Sequence, residues 1–403
     1  MRRIFLLIMG MLFVTSFYAC HTEPSPSLSP SPTILPTHTA TQVPTQMPNR
    51  TPTPTPTLLP SPTPAQMTLE EKVAQLFVIF PEALIRETRV VTSVNQEMKD
   101  FLKKYPVGGI ILFQANVETP AQLTALIQDL QNASKYPLLM AMDEEGGRVA
   151  KIANNPNFNV PKYTSILEVG KTENPALAKE LGQNIGKYLK TYGINYNLAP
   201  VADVLTNPEN TVVGNRSFGS DPQIVAQMVT NVIAGLQEEG VGTCAKHFPG
   251  HGDTVADTHK EGVIAPKTWA EMQACELIPF KAAMEQGVHS IMVGHTTTPN
   301  VTADGLPNSL SYEMVTKRLR SELGYTGVVI TDALNMGAIT NDYRSDEAAV
   351  LAFLAGCDIL LMPKDFEVAY EGVLRAVRDG RISETRLNES VSRILALKQA
   401  VMA

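Results

Sequence analysis

The chain has 403 residues and a formal net charge of −7, and 44% of its residues are hydrophobic. This acidic balance gives no support to nucleic-acid binding, which needs a surplus of basic side chains. The chain contains four cysteines, Cys20, Cys244, Cys275 and Cys357, none of them in a C-x-x-C pair. The three that follow Cys20 are an odd number, which argues against a disulfide framework and against a structural zinc site.

The first twenty residues have the pattern of an export signal. Arg2 and Arg3 precede an apolar run at residues 4–14, which is too short to span a bilayer comfortably. The ending Phe17-Tyr18-Ala19-Cys20 resembles a bacterial lipobox, whose cysteine is lipidated after cleavage. We therefore expect a signal peptide at residues 1–20 and a lipid anchor at Cys20 on the outer face of a bacterial cell membrane. Simple secretion after cleavage is the alternative.

Residues 21–65 form a segment rich in proline, serine and threonine. Thirteen of the 29 prolines fall in residues 21–64. Because this composition cannot bury enough apolar surface to offset its ordering entropy, a disordered linker is predicted. At about 3.1 Å per residue, an extended spacer of this length reaches on the order of 130 Å. It is expected to hold residues 66–403 away from the membrane surface.

From residue 66 onward, short apolar runs alternate with segments of helical periodicity. Eight strands are predicted, at Val73–Phe80, Gly109–Phe113, Leu138–Met142, Asn195–Val201, Val241–His247, Ser290–Gly294, Val328–Thr331 and Ile359–Met362. Helices are predicted at Ala121–Ala133, Pro175–Tyr192, Gln223–Glu239, Trp269–Gln286, Tyr312–Leu323, Phe366–Asp379 and Glu384–Lys398. This alternation favours a single α/β domain with a (β/α)₈ TIM-type barrel. A doubly wound open sheet is the alternative, but no glycine-rich phosphate loop follows the first strand.

Ionisable side chains collect where the predicted strands end. They are Asp143, Asp203, Lys246, His247, His295 and Asp332. In a barrel the carboxyl ends of all strands open on one face, which is the face where barrel enzymes react. Six ionisable residues from five strands are therefore expected to converge on one site.

The densest polar stretch is KHFPGHGDTVADTH, at residues 246–259. It begins at a strand end and becomes a loop at Pro249-Gly250. Asp257 and His259 are two residues apart, so they share a side if the segment is extended. A carboxylate beside an imidazole favours the protonated ring and fixes its orientation, which suits a group that gives and takes a proton at neutral pH. A solvated polar loop is the alternative.

A metal site is the sharper rival interpretation of this stretch. Zinc ligands are available from His247, His251, Asp253, Asp257 and His259. However, Lys246 would place a cation beside the metal ion, and the stretch has no H-E-x-x-H spacing. Neither a metal nor a cofactor is therefore predicted.

Asp332 ends the apolar run at residues 327–331. A carboxylate at the mouth of a buried strand needs cations or donors facing it, and Lys246, Arg216 and the histidines are the candidates. An ionised carboxylate held in this way can attack an anomeric carbon and form a covalent glycosyl-enzyme. A helix N-cap is the alternative role.

Two further strand-end regions offer groups that bind hydroxyls. Asp143 follows the third predicted strand and is placed to accept two sugar hydroxyls, whereas its neighbours Glu144 and Glu145 are expected to be solvated loop charges. Arg216 lies before the helix that Asp221 opens as N-cap, and it is expected to bond a hydroxyl or to support a carboxylate.

At these residues the chain closely resembles glycoside hydrolase family 3, specifically its bacterial β-N-acetylglucosaminidases. The matching stretches are DEEGGRV at 143–149, NRSFGSDP at 215–222, KHFPGHGDTVADTH at 246–259 and ITDALNMGA at 330–338. The resemblance covers residues 67–398. It implies a barrel in which Asp332 is the nucleophile and His259, paired with Asp257, replaces the usual acid/base glutamate. It also implies that Asp143, Arg216, Lys246 and His247 bind the sugar in the −1 subsite.

Two comparisons with the family sharpen this expectation. The family's glucosidases generally draw the acid/base carboxylate from a second domain. This chain ends just past its last predicted helix, so the Asp257–His259 pair is expected to do that work. Lys151 stands where this branch usually carries a second arginine after the GGRV stretch. Because lysine lacks bidentate geometry, Lys151 is expected to bind a different glycan beyond the first sugar.

The resemblance therefore implies a retaining exo-β-N-acetylglucosaminidase that removes terminal β-linked N-acetylhexosamine from peptidoglycan or chitin-type oligosaccharides. A β-glucosidase or a β-N-acetylglucosaminide phosphorylase on the same barrel is the alternative, because a neutral imidazole repels phosphate less than a carboxylate does. A third hypothesis is a surface sugar-binding protein without turnover. It is disfavoured because every proposed catalytic residue is present. The sequence leaves the oligomeric state and the natural glycan open.

Overall fold

A computed structural model describes residues 63–86, 89–254 and 257–402 of the chain. The predicted signal peptide, Cys20 and nearly all of the predicted linker lie outside these residues, so those expectations stay predictions. Within the described ranges no helix combines the length and the apolar character needed to cross a bilayer. Cys244, Cys275 and Cys357 are free thiols.

Strands and helices alternate along the described chain. The strands are β1 (Phe77–Ile79), β2 (Gly109–Leu112), β3 (Leu139–Met142), β4 (Tyr196–Asn197), β5 (Cys244–Phe248), β6 (Val263–Ile264), β7 (Ser290–Val293), β8 (Thr296–Thr297), β9 (Val328–Thr331) and β10 (Leu360–Leu361). The α-helices are α1 (Leu69–Gln75), α2 (Gln96–Lys104), α3 (Pro120–Ala133), α4 (Ile166–Lys171), α5 (Pro175–Tyr192), α6 (Pro222–Glu238), α7 (Trp269–Ala274), α8 (Leu277–Glu285), α9 (Gly337–Thr340), α10 (Ser345–Ala355), α11 (Phe366–Arg378) and α12 (Glu384–Met402). A π-helix spans Glu313–Glu322.

The strands form parallel sheets. Five of them follow the order β10-β1-β2-β3-β4, three follow the order β5-β7-β9, and β6 pairs with β8. Isolated parallel bridges link the two larger sheets at both borders. Val201 pairs with Lys246 at one border, and Ile330 pairs with Ile359 at the other. The predicted α/β class with a parallel sheet is therefore confirmed.

Apolar residues bury the strands on both faces, as expected for parallel sheets. Every residue of β2, β3, β7 and β9 is buried. Outside the sheets, α5 and α6 approach each other closely because they meet at glycines. A Cβ at Gly182 would lie only 3.1 Å from the Cα of Gly235. Local residues set both ends of α5. The side chain of Asn174 caps its first turn, and Gly193, at φ +91°, ends it.

Some predicted elements are wrong in extent. The strand predicted at Val73–Phe80 is half helix, because Thr68 and Glu71 form a capping box that starts α1. The helix predicted at Trp269–Gln286 is interrupted at Cys275 and forms α7 and α8. Helix α10 was not predicted, because it is apolar around most of its circumference and shows no periodic stripe.

Candidate active site

Side chains at and beyond the carboxyl ends of β3, β5 and β9 line one cavity of about 620 Å³. The cavity brings together all eight residues singled out as the site, namely Asp143, Lys151, Arg216, Lys246, His247, Asp257, His259 and Asp332. Part of its wall is apolar, formed by Ile111, Leu198 and Met292 among others. A concave site with a few convergent polar groups on a partly apolar wall is typical of a small-molecule pocket.

Asp332 follows β9 directly, and its backbone N–H donates to the carbonyl oxygen of Val293 at 2.9 Å. Its carboxylate accepts a hydrogen bond from the N–H of Ala333 at 2.8 Å. Burial alone would raise the pKa of this carboxyl, but His247, the Ala333 N–H and Lys246 are among the groups that lower the pKa to about 2. Asp332 is therefore ionised at neutral pH, as a nucleophile must be. Arg216, expected to face Asp332, instead pairs with Glu145.

His295 fixes the backbone beside Asp332. Its Nε2 lies 3.0 Å from the carbonyl oxygen of Ala333, so this nitrogen carries a proton and donates. Burial lowers the pKa of His295, and the neutral ring therefore accepts at Nδ1 from the hydroxyl of Ser309, 2.7 Å away. His295 thus supports the position of Asp332 through the neighbouring peptide.

Asp257 and His259 lie in a turn after β5, and the carboxylate contacts the histidine twice. Asp257 Oδ1 accepts from the backbone N–H of His259 at 2.9 Å and from ring Nδ1 at 2.7 Å. The predicted pairing of the two side chains is therefore present, but it is made in a turn and not in an extended segment. The His259 side chain is 64% exposed, so a proton can pass between its ring and water.

A buried ionic cluster forms the polar wall of the cavity. Lys246, only 2% exposed, places its Nζ 2.5 Å from Asp143 and 2.7 Å from Glu145. Arg216 donates to both oxygens of Glu145, at 2.8 and 2.7 Å. Burial alone would raise the pKa of Glu145, but Arg216 and Lys246 outweigh it and hold that pKa far below its usual range. Glu145 is therefore ionised at neutral pH, and it faces two cations.

Asp203 holds the strand that carries His247. Its Oδ2 accepts from His247 Nδ1 at 2.7 Å, and its Oδ1 accepts the backbone N–H groups of His247 at 3.2 Å and His251 at 2.8 Å. With Nδ1 donating to Asp203, the other ring nitrogen of His247 is the one available to a ligand in the cavity. Asp203 was noted at a strand end but was given no role.

His251 ties together two parts of the loop that follows β5. Its Nδ1 lies 2.5 Å from the hydroxyl of Thr254, and its Nε2 lies 3.3 Å from the hydroxyl of Thr258. Burial lowers its pKa, so the ring is neutral and one nitrogen donates while the other accepts. This buried histidine therefore holds Thr258, which lies between Asp257 and His259, against the first part of the loop.

The expectation that Glu144 and Glu145 are solvated loop charges is wrong, since both are buried. Glu144 accepts from the backbone N–H of Ile152 at 3.0 Å and of Ala153 at 2.9 Å, and from the hydroxyl of Tyr188 at 2.8 Å. It thereby shapes the loop that carries Lys151. The missed signal was the spacing of Asp143 and Glu145, because residues two apart share a side in extended chain.

Two cationic side chains, one in the DEEGGRV segment and one just after it, line the cavity. Arg148 donates to the carbonyl oxygens of Thr211, at 2.8 Å, and of Val212. These neutral acceptors do not cancel its charge. Lys151 is partly buried and also lines the cavity. The site therefore has basic side chains beyond the ionic cluster itself.

In the part of the chain that the structure describes, no group of three or more His, Cys, Asp or Glu side chains has the arrangement of a metal site. The residues weighed as zinc ligands have other partners. His247 binds Asp203, and His259 binds Asp257. Asp253 lies 3.6 Å from the ammonium of Lys267. The described geometry gives no support to the metal alternative.

Two curated relatives of this chain are bacterial β-hexosaminidases. Beta-hexosaminidase A of Pseudoalteromonas piscicida is 33% identical in an alignment of 336 positions, which covers 76% of this chain and 56% of that protein. The beta-hexosaminidase of Bordetella avium (strain 197N) is 36% identical in an alignment of 275 positions, which covers 67% of this chain and 77% of that protein.

Solved structures that resemble this chain are also enzymes that act on sugars. A glycoside hydrolase family 3 beta-N-acetylglucosaminidase from Paenibacillus sp. str. FPU-7 superposes with a TM-score of 0.77 at 38% identity, covering 83% of this chain and 63% of that one. A beta-glucoside phosphorylase superposes with a TM-score of 0.74 at 26% identity, covering 84% and 60%. This chain thus spans less than two thirds of several of these longer relatives.

The family model for the "Glycosyl hydrolase family 3 N terminal domain" matches residues 68–397, nearly the whole of the described chain. This range contains the ionised carboxylate after β9, the Asp257–His259 pair and the buried ionic cluster. The chain therefore belongs to glycosyl hydrolase family 3.

Proposed function

We propose that this chain is a retaining exo-β-N-acetylhexosaminidase. The observation that carries the proposal is that an ionised carboxylate and an exposed imidazole, the latter with its own carboxylate partner, line the same cavity. The carboxylate is Asp332, with a pKa of about 2. The imidazole is that of His259, bound by Asp257. A nucleophile and a separate proton carrier are the two groups that a double displacement needs.

In the first step, protonated His259 gives its proton to the glycosidic oxygen while Asp332 attacks the anomeric carbon. The bond between that carbon and the leaving oxygen breaks, the aglycone departs as an alcohol, and a glycosyl ester forms on Asp332. Asp257 stabilises the charged ring before transfer and holds its orientation. Proton transfer of this kind contributes about 10² to 10⁴ in rate.

In the second step, the neutral imidazole of His259 takes a proton from water while the water oxygen attacks the anomeric carbon. The ester bond to Asp332 breaks, and the carboxylate and the protonated imidazole are regenerated. Two inversions give net retention of the β configuration. The exposure of His259 supports this step, because the incoming water must reach the ring.

The ionic cluster is proposed to bind the non-reducing sugar in the −1 subsite. Asp143 accepts hydroxyl hydrogens, whereas Lys246, Arg216 and His247 donate or complete the network around the ring. Lys246 and Arg216 are already held by Glu145, so they need little rearrangement when the sugar arrives. Pre-arranged charged donors of this kind give orientation and specificity in small-molecule sites.

The proposed preference for an acetamido sugar is supported by the beta-hexosaminidase and beta-N-acetylglucosaminidase relatives. The test uses an aryl β-N-acetylglucosaminide and an aryl β-glucoside with the wild type, Asp332→Ala and His259→Ala. We expect cleavage of the acetamido substrate, no turnover by Asp332→Ala, and residual turnover by His259→Ala on the activated leaving group. Faster cleavage of the glucoside would overturn the substrate, and wild-type turnover by Asp332→Ala would overturn the mechanism.

Phosphorolysis is a second candidate for the same site. Arg148 and Lys151 line the cavity, and Arg148 is bound to neutral carbonyl oxygens, so basic charge is available to an incoming phosphate. One structural neighbour is a beta-glucoside phosphorylase. Release of N-acetylglucosamine 1-phosphate in phosphate buffer would favour this reaction, whereas free N-acetylglucosamine in the same buffer favours hydrolysis.

The setting of the reaction is also a proposal. We propose export, lipid attachment at Cys20, and peptidoglycan or chitin-type chain ends as the substrates outside the membrane. The basis is the sequence pattern of residues 1–65. In a bacterial host, metabolic labelling with a fatty acid should mark the wild type and spare Cys20→Ser. Equal labelling of the two proteins would contradict the anchor.

We further propose that the two larger sheets make up one closed (β/α)₈ barrel. The support is the pair of borders between them. Val201 pairs with Lys246, and Ile330 pairs with Ile359, both in parallel. Joined at these borders, the eight strands follow one another in a ring. Closure would explain why side chains from β3, β5 and β9 reach a single cavity.

A further inference from the structure

The turn that carries His259 is hydrogen-bonded to the start of α9. The backbone N–H of Gly337 donates to the carbonyl oxygen of His259 at 3.1 Å, and the N–H of Ala338 donates to that of Thr258 at 3.1 Å. The side-chain amide of Asn341 donates to the carbonyl oxygen of Lys260 at 3.1 Å. Three consecutive carbonyls of the turn are therefore held by one short segment.

Position 337 has no room for a side chain in this arrangement. A Cβ there would lie 2.6 Å from the carbonyl carbon of Lys260 and 2.9 Å from the carbonyl oxygen of His259, distances that real Cβ atoms essentially never show. Gly337 opens a helix, so its own backbone conformation is one that alanine adopts readily. The requirement for glycine is therefore the close approach of the turn.

The same segment is tied to the proposed nucleophile. Asp332 is held by Val293, and the backbone N–H of Leu334 donates to the carbonyl oxygen of Leu361 at 2.9 Å. The backbone N–H of Met336 donates to the carbonyl oxygen of Ala333 at 3.1 Å. Residues 332–338 thus form a short, fixed link between the carboxylate and the turn bearing the imidazole.

We propose that Gly337 is a positioning residue for His259, whose ring it places through backbone contacts without touching the substrate. The inference rests on the proposed acid/base role of His259. A proton donor must lie within hydrogen-bond reach of the leaving oxygen, and a displacement of about 1 Å can cost on the order of 100-fold in rate. Pushing the turn away from α9 therefore affects the proton transfer and spares the attack by Asp332.

The test compares Gly337→Ala, His259→Ala and the wild type on aryl β-N-acetylglucosaminides of differing leaving-group acidity. With a phenyl leaving group, which needs protonation, we expect kcat/KM of Gly337→Ala to fall by about tenfold or more. With a 2,4-dinitrophenyl leaving group, which departs unaided, we expect a fall of about twofold or less. His259→Ala should show the same pattern more strongly.

Two controls accompany this measurement. Gly262→Ala is the matched substitution, since a Cβ at Gly262 meets nothing within 4 Å, and it should leave both substrates unchanged. Asn341→Ala removes one of the three contacts from an exposed side chain, and it should reduce kcat/KM on the phenyl substrate by about threefold. This second variant decides the matter if Gly337→Ala does not fold.

The outcomes separate the two ideas. If His259→Ala depends on the leaving group and Gly337→Ala and Asn341→Ala do not, the positioning role is wrong while the proposed function stands. An equal loss on both substrates for Gly337→Ala likewise overturns it, since that indicates general damage to the site. If His259→Ala itself shows no dependence on the leaving group, the proposed acid/base role falls, and the inference falls with it.

Discussion

The carboxylate of Glu145 accepts two hydrogen bonds from the guanidinium of Arg216, at 2.7 and 2.8 Å. The Nζ of Lys246 also contacts this carboxylate, at 2.7 Å from Oε1. The carboxylate is buried and the guanidinium is partly buried, and both line the wall of the cavity together with Lys246. Glu145 fixes two of the groups proposed to bind the sugar, although it was itself expected to be a solvated charge.

Replacing Glu145 with Gln should damage both stability and binding. The change leaves Arg216 and Lys246 buried with less compensating charge, and breaking a buried ion pair from one side typically costs about 3 to 5 kcal/mol. We expect the free energy of unfolding to fall by about 3 kcal/mol and KM for the aryl substrate to rise. Urea denaturation and steady-state kinetics measure the two effects.

The matched control for that variant is Glu168→Gln, which alters an exposed pair with Lys171. Exposed pairs contribute little, so the control should behave like the wild type. A Glu145→Gln protein with wild-type stability and KM would show that the cluster is not needed to hold the donors.

Replacing Asp257 with Asn should lower kcat/KM on the phenyl glycoside. Burial tends to raise the pKa of Asp257, but hydrogen bonds from the backbone and ring of His259 outweigh it and lower that pKa. The carboxylate is therefore ionised at neutral pH and is a charged acceptor for the ring N–H of His259. Asparagine keeps an oxygen acceptor but removes the charge, so proton transfer to the leaving group should weaken at every pH at which the carboxylate is ionised.

This loss is measured as kcat/KM on the phenyl glycoside between pH 4 and pH 9. Asp129→Asn, which alters an exposed carboxylate on α3, serves as the control and should keep the wild-type kcat/KM. A wild-type kcat/KM for Asp257→Asn would separate Asp257 from the proton transfer.

Lys398 predicts a pH dependence of stability that is unrelated to the site. It is 2% exposed, it donates to the side-chain oxygen of Gln75 at 2.6 Å, and burial lowers its pKa to about 7. The unfolded chain, with an ordinary lysine pKa near 10.4, binds more protons than the folded one between about pH 7 and pH 10. Stability contributed through Lys398 therefore rises with pH across this window.

Lys398→Met should remove that contribution. The difference in unfolding free energy between wild type and variant should change by up to about 1.4 kcal/mol per pH unit in the window. Denaturation at pH 7 and at pH 9.5 measures it, with the wild type gaining relative to the variant at the higher pH. A difference that stays constant between the two values would mean that Lys398 is not titrating in the fold.

Lys151 is predicted to act on the part of the substrate beyond the first sugar. Lys151→Ala should leave KM for an aryl β-N-acetylglucosaminide within about twofold, and should raise KM for a disaccharide by about tenfold or more, because one hydrogen bond to a charged group is lost. Lys162→Ala, an exposed lysine outside the cavity, is the control. Equal KM changes on both substrates would place Lys151 elsewhere in the mechanism.

The sequence predicted the position of most strands because their apolar runs are buried on both faces. It also identified Asp332 and Lys246 as candidate site residues. An ionisable side chain at the end of a buried strand costs desolvation energy unless it has partners, so such a position indicates a site. The sequence did not predict α10, whose burial on most sides removes the periodic stripe. The burial of Glu145 had one local sign, its spacing of two residues from Asp143, but its partner Arg216 lies 71 residues away in the chain.

The roles of Asp203 and Gly337 depend on tertiary contacts in the same way. Asp203 meets two backbone N–H groups that belong to a different strand and loop. Gly337 faces carbonyls nearly eighty positions earlier in the chain. No local pattern of residue types encodes such encounters, so only the folded chain identifies these partners.

The central claim is that Asp332 is the covalent nucleophile, and trapping the glycosyl-enzyme tests it most directly. The protein is incubated with 5-fluoro-N-acetylglucosaminyl fluoride, which forms the ester but slows its hydrolysis, and is then digested and mapped by mass spectrometry. The account predicts one added fluorosugar on the peptide containing Asp332, and none on Asp332→Ala. A label on another residue, or turnover with inverted anomeric configuration and no label, would contradict it.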